Sequence, residues 1–108
     1  MKALLASVLL IISFSSHAET GNHLYNWYEE FNRPQDVNPK FFNIGQLFGH
    51  VIGVYELLKI EGKICVRDGV SRGTIIDIVG QYLKDNPTER KKHASKIIYD
   101  ALVPIFPC

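Results

Sequence analysis

The chain has 108 residues, of which 46% are hydrophobic, and its 12 basic and 11 acidic side chains give a formal net charge of +1. This length predicts a single domain. The near balance of charges argues against a nucleic acid as partner, because such proteins carry a clear basic excess.

Residues 1–18 have the pattern of a cleavable signal peptide. A positive start precedes the apolar run Ala3–Phe14, which is too short to span a membrane, and small residues then lead up to Ala18. We therefore expect cleavage after Ala18, export to the periplasm, and one domain over residues 19–108. No later stretch has the pattern of a membrane span, because polar residues interrupt the most apolar one.

Hydrophobic periodicity predicts an all-α fold, a compact bundle of four main helices. The predicted helices cover 21–32 with Asn22 as cap, 40–58, a third after the N-cap Ser71, and a fourth from Pro87 with Asn86 as cap. Pro104 should end the fourth helix near Val103. The residues predicted to face inward in the last two helices are Ile75, Ile76, Val79, Tyr82 and Leu83, followed by Ala94, Ile97, Ile98, Ala101, Leu102 and Ile105.

The second helix is apolar around most of its circumference, which predicts a central, buried position. Gly45, Gly49 and Gly53 are spaced four residues apart and therefore share one face. Each glycine costs about 1 kcal/mol of helix propensity relative to alanine, so the ridge needs a compensating contact. Close packing of another helix would supply it, either within the subunit or across a dimer axis, and the sequence favours neither.

The chain contains two cysteines, Cys65 and Cys108. An exported chain with an even number of cysteines favours a disulfide over two free thiols. The bond would close a loop of about 40 residues around the last two helices, which the loop-entropy model values at roughly 4 kcal/mol. Two cysteines without a nearby pair of histidines do not form a zinc site.

The sequence contains no recognisable catalytic, phosphate-binding or cofactor-binding motif. His23, His50 and His93 have no second ligand at helical spacing, so no metal site is expected. His50 lies in the apolar second helix, where a hydrogen-bonded core or interface histidine is the simpler interpretation than a catalytic one. We therefore predict a binding protein without enzymatic activity and without a cofactor.

Five segments, taken in order and spacing, resemble the Tai-type family of periplasmic immunity proteins against type VI secretion amidase effectors. The segments are Gly21-Asn22-x-Leu24, Gly49-x-x-x-Gly53-Val54, Ile64-Cys65-x-x-Asp68-Gly69-Val70-Ser71, Tyr82-Leu83-x-x-Asn86-Pro87 and Phe106-Pro107-Cys108. The resemblance implies a helical domain that often dimerises and covers the catalytic cleft of a peptidoglycan amidase. The resemblance also implies two further cysteines that would form a second disulfide. Their positions are occupied by Tyr28 and Leu47 here, and packing of these two side chains would replace the missing bond.

A protein that covers a cleft must project contact residues from a rigid element. The turn between Arg67 and Arg72 meets this requirement, because the cysteine clamp precedes it and a helix follows it. We therefore predict Arg67, Asp68 and Arg72 as partner contacts. The alternative is that Asp68 and Gly69 only form a turn and Ser71 only caps a helix.

Two other functions stay open at this point. A small periplasmic stress chaperone would also be a helical exported protein, but its fold would loosen and it would bind unrelated client proteins. An enzyme with an unrecognised site around His50 would lose its activity when His50 is replaced by alanine.

Overall fold

The computed structural model describes residues 19–33 and 40–108, so the predicted signal peptide at 1–18 and residues 34–39, between the first two predicted helices, lie outside the described residues. The helices are α1 (Gly21–Phe31), α2 (Phe41–Ile60), α3 (Arg72–Asp85) and α4 (Ala94–Leu102), with a 3₁₀ turn at Pro87–Glu89. Across these ranges the structure contains one isolated β-bridge and no strand. The predicted all-α fold of four main helices is confirmed.

One hydrophobic core joins all four helices, and each helix packs against each of the others. The buried apolar residues are Leu24, Trp27, Leu47, Val51, Tyr55, Leu58, Ile64, Ile75, Ile76, Val79, Leu83, Ala94, Ile97, Ile98, Ala101 and Leu102. All of them except Ile64 lie within a helix. Burial of a full aliphatic side chain contributes about 1.5–3 kcal/mol, so the bundle is held mainly by the inner faces of its helices.

The prediction that α2 is buried around its circumference is wrong. Its inner face, formed by Leu47, Val51, Tyr55 and Leu58, is buried against the other helices. Its opposite face is exposed and carries three glycines between Phe41 and Leu57, with no charged residue. Periodicity alone cannot tell a helix with four neighbours around it from one that has neighbours on one side and an unoccupied apolar face on the other.

The start of α1 pairs with the connection that precedes α4. The backbone N–H of Gly21 donates to Lys92 O at 2.9 Å, that of Asn22 donates to Arg90 O at 2.8 Å, and that of Ala94 donates to Glu19 O at 2.8 Å. Gly21 is required here, because a Cβ atom on it would lie 2.8 Å from the carbonyl oxygen of Arg90.

This pairing overturns two details of the sequence prediction. The fourth helix does not run on from Pro87, because the carbonyl groups of Arg90 and Lys92 accept hydrogen bonds from α1 instead of continuing a helical ladder. The cap of α1 is Thr20 rather than Asn22, whose own N–H is used in the pairing.

The disulfide between Cys65 and Cys108 is present and spans 43 residues of sequence, as predicted. The helix α4 ends at Leu102, also as expected from Pro104. The end of the helix turns the chain, so Ile105 leaves the inner face and is 55% exposed, contrary to the prediction. Tyr82 was also predicted to face inward and is only half-buried.

Tyr28 joins α1 to α3. Its ring lies against Gly80, where a Cβ atom would overlap the ring, and its hydroxyl donates to Asp77 Oδ1 at 3.1 Å. Leu47, the residue expected to pack with Tyr28, lies in the buried core. Burial raises the pKa of Tyr28; the hydrogen bond with Asn32 opposes this rise, and the Asp77 carboxylate adds to it.

Replacing Gly80 with alanine should destabilise the protein by about 1–3 kcal/mol, because the new methyl group displaces the ring of Tyr28. Urea unfolding followed by circular dichroism measures this change. In a Tyr28→Ala background the same substitution should cost much less, because the clash is gone and alanine favours the helix. An equal cost in both backgrounds would contradict the proposed contact.

Replacing Tyr28 with phenylalanine removes the hydrogen bond to Asp77 and should cost about 0.5–1.5 kcal/mol at pH 7. Because the folded-state pKa is raised above about 10, the neutral phenol contributes stability below pH 10 that is lost as the pH rises further. The variant should therefore lose less stability than the parent between pH 9 and 11. Some loss should persist, because burial also raises the pKa of Tyr82.

Candidate partner-binding surface

The loop Arg67–Arg72 connects the segment that follows α2 to the start of α3. Asp68 and Gly69 form its turn, and Gly69 has φ = +93°, a conformation that favours glycine. Ser71 caps α3 by accepting a hydrogen bond from Thr74 N–H at 3.1 Å. The predicted turn and the predicted cap are both confirmed, and both ends of the loop are anchored.

The three predicted contact residues Arg67, Asp68 and Arg72 are exposed. None of them takes part in an ion pair within the described parts of the chain. Their charged groups are therefore hydrated and available to a partner.

The loop separates two open grooves. On one side Arg67 lines a groove of about 470 Å³ together with Cys65, Val70 and Phe106. On the other side Arg72 lines a groove of about 330 Å³ together with Gly49 and Gly53 of α2. The structure thus brings one predicted contact residue next to the predicted glycine ridge, a proximity that sequence spacing did not indicate.

The outer face of α2 carries a row of residues spaced four apart, which we call the exposed stripe: Phe41, Gly45, Gly49, Gly53 and Leu57. All five are exposed. A Cβ atom built on any of the three glycines would meet nothing within 4 Å. The glycine ridge therefore points away from the described residues of its own subunit.

Large apolar side chains surround the glycines. Phe41 is 75% exposed, and its neighbour Phe42 is 77% exposed. At the other end of α2, Leu57 and Ile60 are 52% and 81% exposed. These exposed apolar side chains form two pairs, one near each end of α2, with the three glycines between them. The sequence did not predict which face of α2 is exposed, because neither the inner face nor the stripe carries a charged residue.

The side chain of His50 makes a hydrogen bond and a ring contact within the bundle. Its Nδ1 lies 2.9 Å from the carbonyl oxygen of Gln46, so this nitrogen donates a hydrogen bond within the helix. Its ring lies 5.6 Å from that of Trp27, which in turn lies 6.0 Å from the ring of His23. These contacts favour the interpretation of a hydrogen-bonded histidine at the junction of α1 and α2.

Over residues 19–33 and 40–108, no group of three His, Cys, Asp or Glu side chains is placed to hold a metal ion. None of the helices in these ranges combines the length and the apolar character needed to cross a membrane. The surface as a whole offers hydrated charges on a fixed loop and apolar side chains on a helix, which are the features of a protein interface.

No curated protein matches the chain. The profile of the Rap1a immunity proteins matches residues 20–108, which is nearly all of the chain outside the predicted signal peptide. The match includes both cysteines, the loop Arg67–Arg72 and the whole of α2. The chain therefore belongs to the Rap1a immunity protein family.

Proposed function

We propose that this immunity protein is exported to the periplasm, where it binds and occludes a type VI secreted peptidoglycan amidase. The observation that carries the proposal is the family match over residues 20–108. The signal-peptide pattern of residues 1–18 supports export. The resemblance of five sequence segments to the Tai-type proteins supports an amidase as the toxin. The protein acts as a plug and performs no chemistry of its own.

The loop Arg67–Arg72 is the part that enters the cleft. It is exposed and its charges have no partner among the described residues. Its two ends are fixed by the disulfide and by the cap of α3. A loop held at both ends loses little conformational freedom on binding, which favours affinity.

The exposed stripe of α2 serves a different contact, the dimer between two copies of this chain. Its glycines permit the close approach of two helices, and its flanking phenylalanine and leucine side chains supply apolar area. A dimer would also offset the propensity cost of three glycines in one helix. In this arrangement Arg72, which lines the groove with Gly49 and Gly53, lies at the edge of the dimer contact.

The exposure of Phe41, Phe42 and Ile60 also favours a second function, that of a small periplasmic chaperone. A chaperone would bind unfolded clients through this apolar surface and would show little selectivity. An immunity protein would bind one folded enzyme with defined stoichiometry. Suppression of the aggregation of unrelated proteins at molar excess distinguishes the two.

The exported, oxidised protein, used as bait, should recover one peptidoglycan amidase and silence it at a one-to-one ratio of subunits. Replacing both Arg67 and Arg72 with glutamate should weaken this inhibition tenfold or more, because the charges that face the cleft are reversed. High salt should also weaken inhibition by the parent protein, because it screens the same charges. Inhibition constants for the recovered amidase measure both effects.

Lys91→Glu is the matched control for the charge reversal. Lys91 is exposed and lies in the connection at the opposite end of α3 from the loop. This variant should inhibit as well as the parent. Equal weakening by the control would show a general charge effect, and unchanged inhibition by the double variant would remove the loop from the interface.

Replacing Gly49 with alanine should weaken the dimer while stabilising the isolated subunit by up to about 1 kcal/mol. The added methyl group has free space within the subunit but would stand between two helices packed across the stripe. Analytical ultracentrifugation measures the dimer affinity. Ser95→Ala, an exposed change outside the stripe, is the control, and a dimer unaffected by Gly49→Ala would contradict the assignment of this face.

A further inference from the structure

The segment that carries the predicted contacts lies at the edge of the core, against which Val66 and Val70 pack. No residue from Cys65 to Thr74 is buried, and only Val66 and Val70 are half-buried. Before α3 begins, the segment contains no helix. Neither a helical ladder nor deep apolar burial therefore fixes its conformation, which makes it a candidate for local opening.

The segment is held from behind by the tail that follows α4, which we define as Val103–Cys108. Three contacts join them: the Cys65–Cys108 bond, a hydrogen bond of 3.0 Å from Cys65 N–H to Phe106 O, and the groove that Val66 and Val70 share with Phe106. The disulfide thus joins the loop to the tail rather than one core helix to another.

The tail depends on these same contacts. Beyond α4, the N–H groups of Ile105 and Phe106 both donate to Leu102 O at 3.1 Å, which is a local turn. Phe106 is half-buried, and its neighbours Ile105 and Pro107 are exposed. Loop and tail therefore stabilise one another. Their half-buried side chains Val66, Val70 and Phe106 pack against the edge of the core, whereas the fully buried side chains lie in the four helices and at Ile64.

We propose that the Cys65–Cys108 disulfide is a redox-sensitive positioning element, which holds the loop Arg67–Arg72 in its partner-binding conformation and releases it on reduction. The effect on binding rests on the proposed function, and in this proposal the oxidised form is the one that binds the partner. The reduced form keeps the helical bundle but loses the ordered loop.

Both cysteines are exposed, so a thiol reductant can reach the bond. One thiolate of a dithiol attacks a sulfur of the bond and forms a mixed disulfide. The second thiolate of the dithiol then attacks this mixed disulfide and releases the protein sulfur. The bond between Cys65 and Cys108 breaks, two electrons pass to the pair, and two protons complete the two thiols. The dithiol leaves as its own disulfide, so atoms and electrons balance.

The test uses the exported protein before and after treatment with dithiothreitol, and compares hydrogen exchange with affinity for the amidase recovered by the oxidised form. Reduction should raise amide exchange at least tenfold in 65–71 and 103–107 and leave the inner face of α2 protected. Affinity should fall at least tenfold, and reoxidation should restore both. The Cys65→Ser/Cys108→Ser variant should behave like the reduced protein.

Phe106→Ala provides a second arm in which the disulfide stays intact. It removes the side chain that packs behind the loop, so it should raise amide exchange in 65–71 and weaken binding to the amidase. Phe106→Leu should retain most of the protection from exchange and most of the affinity. A purely structural role would predict the same affinity for every variant that remains folded.

The outcomes separate the two proposals. Exchange that rises equally in the core of α2, or that does not change in the loop, would overturn the positioning role. A loosened loop with unchanged affinity would overturn it as well. Failure of the oxidised protein to bind any amidase would overturn the proposed function and the binding consequence, while the exchange pattern would still decide whether the bond orders the loop.

Discussion

The structure depends on burial of the inner face of α2. This helix packs against each of the other three, and its four buried side chains, Leu47, Val51, Tyr55 and Leu58, contact the core from end to end. A domain of about 90 residues has little apolar surface to spare, so this face must be used in full. The constraint leaves α2 lying across one side of the bundle, with its second apolar face exposed.

The fully buried residues and the proposed contact surfaces therefore lie in different parts of the molecule. The helices supply the fully buried core, and among the described residues Ile64 alone is buried outside them. In the loop Arg67–Arg72 only Val70 packs against that core, and the five residues of the exposed stripe of α2 are not buried. The charges at Arg67, Asp68 and Arg72 can therefore change at little cost to the fold, whereas the turn and the cap of α3 use Gly69 and Ser71.

Close contacts at two glycines show how tightly the subunit packs around α1. Gly21 touches the backbone of Arg90, and Gly80 receives the ring of Tyr28. At both positions a methyl group has no room. The three glycines of the exposed stripe have the opposite surroundings, because nothing lies near them. The same residue type thus marks contacts already made inside the subunit and, in our proposal, a contact made outside it.

The sequence by itself determined the number and approximate limits of the helices, the turn at Asp68 and Gly69, the cap at Ser71, the helix end before Pro104 and the pairing of two cysteines. These features follow from local rules of propensity, capping and cysteine count. Tertiary structure decided the rest. The helix predicted from Pro87 begins at Ala94, because α1 uses the carbonyl groups of Arg90 and Lys92. The buried face of α2 and the proximity of Arg72 to Gly49 depend on which helices lie alongside, and periodicity carries no information on neighbours.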